Sequence, residues 1–270
     1  MDTPEIFDRR LRRLRRDRAA RGYDGFLRDF MLEGIVDRLG AVTRSFGEVL
    51  DLGAADHSFA LPGARVVRCD PGALFARGGV QADEDRLPFA DASFDLVVSA
   101  GVLDQVNDLP GALALIRRVL RPDGLFLGAF AGAGSLATLR AVLREAEPGV
   151  ARLHPQIDVR SAGDLLVRAG FALPVADTER LDVRYASIFK LFADLRATAS
   201  TNLLVDRTPL TRETLARAAQ VFMDRADPDG RTPERFEIVF LTGWAPDPSQ
   251  PKPARRGSAT ASLAAALRSN

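Results

Sequence analysis

The chain has 270 residues, 46% of them hydrophobic, which suits one large domain or one domain carrying an insertion. Its 37 basic and 36 acidic residues leave a net charge of +1, so no global field for nucleic acid or for an anionic membrane is indicated. Cys69 is the one cysteine, which excludes an intrachain disulfide, and with His57 and His154 the only histidines a Cys/His zinc site is effectively excluded. The longest uncharged apolar stretch, 125–139, is shorter than the ~20 residues a membrane helix needs. Charges from Asp2 onward argue against a signal peptide. Lys190 and Lys252 are the only lysines among many arginines, a coding bias that points to a GC-rich bacterial source. The expectation is a soluble bacterial cytoplasmic protein with no targeting segment and no membrane span.

In chain order, residues 5–20 predict a helix with Phe7, Leu11 and Leu14 on one stripe and seven arginines over much of the rest. That arginine stripe reads first as a solvated face and second as a surface for an acidic partner. A second amphipathic helix carries Phe26, Phe30, Ile35 and Leu39. Short apolar runs ending in turns follow at 49–53, 66–70 and 94–99, as buried parallel strands should. A short helix is expected after the first of them, cut off by Pro62-Gly63. Helical spacing runs through Leu109, Leu113, Ile116 and Leu120 and stops at Pro122-Asp123-Gly124, and 125–130 is a fourth strand. Helices are expected at 135–147, 161–169, 186–198 and 211–225, with a strand within 173–185 and a last strand at 237–244. The stretch 186–230 then reads as a helical insertion. This alternation implies a doubly wound, mostly parallel α/β sheet. The chain divides into a helical cap (1–40), the α/β domain (41–245) and a Pro-rich linker and tail (246–270), in which 259–267 has helical spacing.

In open α/β sheets, ligands sit beyond the carboxyl ends of the strands. Asp51 and Gly53 close the first strand, and Asp70 closes the second, 19 residues after Asp51, where a carboxylate can accept both hydroxyls of a ribose. Asp83 and Glu84 precede Leu87-Pro88-Phe89, where a carboxylate suits an adenine amino group and Leu87 suits its ring. Ser99 ends the fourth strand on the same crevice. The plainer readings are that Asp70 caps a loop, that Asp83 and Glu84 lie in a solvated turn, and that Asp51 orders a loop through backbone N–H groups. Cys69 reads as a buried small hydrophobe, and His154 as a loop residue. A dinucleotide-dependent dehydrogenase is a poor alternative, because no G-x-G-x-x-G follows the first strand.

The ordered set 49–53, Asp70, 83–89, 93–97 and 120–124 resembles that of class I S-adenosylmethionine (SAM)-dependent methyltransferases. Phe7-Asp8-Arg9, 106–110, 169–171, Gly243-Trp244 and 254–260 resemble a narrower group, the methyltransferase-fold assembly factors of respiratory complex I, known as protein arginine hydroxylases. These are related to the malonyl-carrier-protein methyltransferases of biotin synthesis. The resemblance implies a Rossmann-like seven-stranded sheet, SAM as cofactor and a protein client, a complex I subunit, as partner. The cofactor site it implies is Asp51, Gly53, Ala55, Asp70, Asp83, Glu84, Leu87 and Ser99. Ala55 and His57 stand where the family has its second and third loop glycines, and Asp104-Gln105 stands where relatives often have His-Trp. A left-handed backbone at Ala55 would cost about 1–2 kcal/mol, so weakened or lost SAM binding is expected. No iron-binding triad is apparent, so hydroxylation rests on the resemblance. Two readings are carried forward: an enzyme that binds SAM, and a non-catalytic assembly factor with a degenerate cofactor site.

Overall fold

The computed structural model describes residues 5–56 and 58–251. His57, the 254–260 motif and the helix expected at 259–267 lie outside them. Two helices, α1 (Arg9–Ala19) and α2 (Phe26–Gly40), precede the sheet. Then come β1 (Glu48–Leu52), β2 (Arg65–Asp70), β3 (Val80–Gln81), β4 (Phe94–Ala100), α3 (Leu109–Val119) and β5 (Leu120–Ala131). The second half adds α4 (Ala137–Ala146), α5 (Val159–Arg168), β6 (Ala172–Tyr185), α6 (Ile188–Ala197), α7 (Arg212–Met223) and β7 (Thr232–Trp244). The seven strands form one sheet in the order β3-β2-β1-β4-β5-β7-β6. The first five are parallel, and β7 runs antiparallel between β5 and β6. This is the doubly wound, Rossmann-like architecture the sequence implies, with α6 and α7 inserted before the last strand.

Strand periodicity explains the layering. Val49, Leu96, Val98, Leu125, Leu127, Ile238 and Phe240 point to one face, where α2, α4, α6 and α7 cover them. Their neighbours Leu50, Leu52, Val97, Phe126, Phe130, Val239 and Leu241 point to the other face, under α3 and α5. Fully burying one such side chain stabilises the fold by about 1.5–3 kcal/mol. Asp8, Asp108, Asp158, Ser187 and Thr211 each accept a backbone N–H as the N-cap of the helix that follows.

Two expectations fail locally. Among the described residues no helix follows β1. Asp56 Oδ1 accepts from the Ser58 N–H (3.0 Å) and from its hydroxyl (2.5 Å), an Asx-type turn that competes with a helical start, and Pro62-Gly63 allows no later one. Residues 120–124 also do not simply end α3. Phe94 pairs with Leu120 and Leu96 with Leu125, so the 121–124 turn bulges out of a strand that has already begun, with Asp123 left-handed at φ 62°.

The Phe7-Asp8-Arg9 and 106–108 motifs meet in space. The Asn107 side-chain oxygen accepts from the Ile6 and Phe7 N–H groups at 2.8 Å each, and its amide donates to the Phe7 carbonyl at 3.0 Å. Asp8 N–H donates to the Leu203 carbonyl at 2.9 Å. These bonds pin the start of α1 beside the carboxyl ends of the strands.

Candidate functional site

The loops leaving β1, β2 and β4 converge as the topology requires. Gly53 turns the chain at φ 79°, and its N–H and that of Ala54 donate to the Cys69 carbonyl at 2.7 and 3.2 Å. A Cβ at Gly53 would overlap the methyls of Val102 and be left-handed as well, so glycine is required there for two reasons. Ala55 differs from the expectation. It is not among the left-handed residues, so it carries no such strain. Its methyl is instead buried against Ala19, Phe75 and Ala199, where it helps seat the end of α1.

Four of the expected acidic groups are buried here, and arginines hold all of them. From α2, Arg28 Nη2 donates to both oxygens of Asp51 at 2.9 Å, and its Nη1 reaches Asp56 and Ser58 at 2.8 Å each. From α1, Arg16 Nε donates to Asp70 Oδ1 at 2.8 Å and its Nη2 lies 2.5 Å from Oδ2. Arg12 takes Glu84 bidentately at 2.5 and 2.8 Å. Arg13 reaches Asp83 at 2.6 Å, and Arg9 takes Asp85 bidentately at 2.6 and 2.7 Å. Arg9, Arg12, Arg13 and Arg16 follow i, i+3, i+4, i+7 spacing, so they share one face of α1. The stripe expected to be solvated is thus in good part turned inward, and the plainer reading of Asp83 and Glu84 as a solvated turn is not met, because both are buried. The plainer reading of Asp70 is also partly met, since its Oδ1 accepts from Gly72 N–H at 2.6 Å.

Electrostatics explains the pairing. Burial pushes the carboxyls of Asp51 and Asp70 above their ordinary range, and Arg28 and Arg16 pull against it. Burial by itself would lower the Arg12 guanidinium, yet Glu84 holds it above its ordinary value. A hollow of buried carboxylates needs cations, and here α1 and α2 supply them. Asp104, in the short 3-10 helix 103–105, has no such cation in contact among the described residues, and desolvation raises its carboxyl to about 6.

The remaining expected residues are placed less alike. Ser99 is fully buried at the end of β4, and among the described residues its hydroxyl has no hydrogen-bond partner. The same is true of Asp83 Oδ1. Leu87 is buried in the core layer that includes α3, with its carbonyl accepting from Arg118 Nη2 at 3.2 Å. Sequence reasoning missed Arg9, Arg12, Arg16, Arg28, Asp85 and Val102. The available signal was the helical spacing of the α1 arginines set against the acidic run 83–85.

The acceptor set fits a nucleoside and a positively charged amino-acid moiety. The space does not fit them while α1 is seated. The cavity bounded by Arg16, Arg28, Gly53 and Ala55 is about 20 Å³, room for about one water and far below the roughly 300 Å³ or more of a small-molecule site.

The sheet order, the glycine turn after β1 and the strand-end acids define a class I methyltransferase-type domain. Residues 50–128 match the methyltransferase domain family. The mitochondrial arginine-hydroxylase NDUFAF5 of zebrafish is 34% identical over 284 residues, covering 96% of this chain and 88% of that protein. The human protein of that name is 35% identical, with 97% and 83% covered. The malonyl-[acyl-carrier protein] O-methyltransferase of a Methylovorus strain is 33% identical, with 85% and 86% covered. The chain therefore belongs to the methyltransferase-fold family of the arginine-hydroxylase NDUFAF5, which is related to the malonyl-carrier-protein methyltransferases. The solved YcgJ protein of Bacillus subtilis superposes with a TM-score of 0.52 at 17% identity, over 80% of this chain and 98% of that one, which bears on the fold alone.

The expected class, an enzyme fold of the SAM-dependent methyltransferase type, is the one found. The expected bacterial cytoplasmic location is overturned: the arginine hydroxylases of zebrafish, mouse, rat, human and Dictyostelium discoideum are mitochondrial. No described helix is long and apolar enough to cross a membrane.

Proposed function

We propose that this protein is a SAM-binding, protein-modifying enzyme of the arginine-hydroxylase family that acts on a client subunit during assembly of respiratory complex I, and that α1 gates its cofactor hollow. The observation that carries this reading is the set of buried carboxylates at the strand ends, acceptors that suit the hydroxyls and amino groups of the cofactor and that α1 and α2 now cover with guanidiniums. Asp70 would take the ribose, Asp83 and Glu84 the adenine amino group beside Leu87, and Asp51 the amino group of the methionine moiety. Gly53 and Ala55 would border the ligand, and Ser99 offers an unused hydroxyl. When bound, SAM supplies an activated sulfonium whose reaction needs mainly that the acceptor be positioned. This chain's own part is to free the carboxylates by moving Arg12 and Arg16 aside, to bind and orient the cofactor, and to exclude water around it.

The competing reading, a non-catalytic assembly factor, is favoured by the same contacts: in the closed arrangement the hollow is filled. Calorimetry with SAM and S-adenosylhomocysteine separates the two. The enzyme reading expects measurable affinity that Asp70→Asn abolishes. No heat at millimolar ligand would leave the scaffold.

A further inference from the structure

A larger cavity lies on the other side of α1. It has a volume of about 650 Å³, within the range that holds small-molecule ligands. Five arginines line it: Arg15 and Arg18 from α1, Arg152 from the loop after α4, Arg196 from α6, and Arg207 from the loop before α7. Among the described residues no carboxylate lines it. Arg152 pairs with Glu147, and Arg207 lies 3.3 Å from Asp8. Arg15 donates to the Asn202 carbonyl. Arg18 and Arg196 have no carboxylate within 4.0 Å among the described residues. The wall therefore holds positive charge that local acids do not balance. Arg15 registers this directly: burial lowers its guanidinium below the ordinary value, and the charges of Arg207 and Arg18 lower it further. Apart from Ser200, Thr201, Asn202 and Thr208 the rest of the lining is apolar and includes Leu143, Phe192 and Leu210.

We propose that this cavity binds an anionic amphiphile, a carboxylate or phosphate head on an apolar chain, with the head among Arg15, Arg18 and Arg207 and the chain along Leu143, Phe192 and Leu210. A cationic peptide would meet like charge, and a fully apolar ligand would leave the guanidiniums desolvated and unpaired. The near-zero net charge of the whole chain makes the patch a local device rather than part of a general basic surface. Arg152, Leu153, Leu195, Ser200 and Asn202 also line a smaller cavity of about 40 Å³ that reaches Asp104, so the two cavities share a wall. The proposal does not depend on whether SAM binds.

Titration calorimetry of the full chain with octanoate, octyl phosphate and octanamide tests it. Both anions should bind at one site, and the neutral amide should bind at least about tenfold more weakly, the scale of one charge-assisted contact. Arg18→Gln/Arg196→Gln should weaken both anions by about tenfold or more, and its urea midpoint should stay at the wild-type value because both side chains are exposed. Tighter binding of octyl phosphate would assign the site to phosphorylated lipids, and tighter binding of octanoate to fatty acids. Equal affinity for octanamide, an unchanged affinity in the double variant, or no heat with either anion at millimolar concentration would overturn the proposal.

Discussion

Replacing Arg12 by methionine should destabilise the fold by several kcal/mol, although no apolar contact is lost. Arg12 and Glu84 are both buried, their side chains 4% and 0% exposed, and bonded bidentately at 2.5 and 2.8 Å. Arg12→Met leaves Glu84 a buried carboxylate whose partner is gone, a loss of about 3–5 kcal/mol. Glu84→Met strands the guanidinium at a similar cost. The double variant removes both charges and keeps the volume, so it should lie within about 1 kcal/mol of the wild type. Urea denaturation at pH 7, read as a double-mutant cycle, gives the coupling. The two single losses should exceed the double loss by at least ~3 kcal/mol. A loss below ~1 kcal/mol for Arg12→Met, or additive losses, would show that α1 is not held by charge and would remove the gating argument.

Other outcomes follow from the same geometry. The Asp104 carboxyl is raised to about 6, so its charged form opposes folding above that pH and the penalty vanishes below the unfolded value near 4. Asp104→Asn should therefore stabilise the protein by up to about 3 kcal/mol at pH 8 and by almost nothing at pH 3, as denaturation at the two pH values will show. His154 accepts the Leu203 N–H at 2.7 Å and stands edge-on to Phe7, and burial, then Arg15 and Arg12, lower its imidazole to about 4. Its contribution is complete above the unfolded value of ~6.5 and declines as pH falls toward 4, and an NMR titration midpoint near 6.5 would contradict this. Gly53→Ala combines a left-handed backbone with overlap against Val102 and should cost about 2–4 kcal/mol in urea unfolding. Asn107→Ala removes the bonds that pin residues 6 and 7, and amide exchange should rise through α1 while β4 and β5 stay protected.

The strands were legible because a parallel sheet buried on both faces needs short apolar runs closed by turns, and 49–53, 66–70 and 94–99 are such runs. The site residues were legible only as positions. Asp70 and Glu84 lie where strand-end chemistry puts them, but what they touch depends on a helix more than fifty residues away in sequence. The arginines of α1 misled because composition cannot distinguish a charged face in water from one buried on acids. Ala55 misled for a related reason: a glycine in relatives does not force a glycine backbone here, and its φ is not left-handed.

The helix α1 carries guanidiniums on two sides. Arg12 and Arg16 grip the acids of β2 and the loop after β3, while Arg15 and Arg18 face the large cavity. One helix thus forms a party wall between two chambers, so an occupant of either that moved the helix would be felt in the other. An occupant that draws Arg15 and Arg18 outward would loosen the grip on Asp70 and Glu84, and one that settles on those acids would reshape the outer chamber. By thermodynamic reciprocity the two affinities must shift by the same factor.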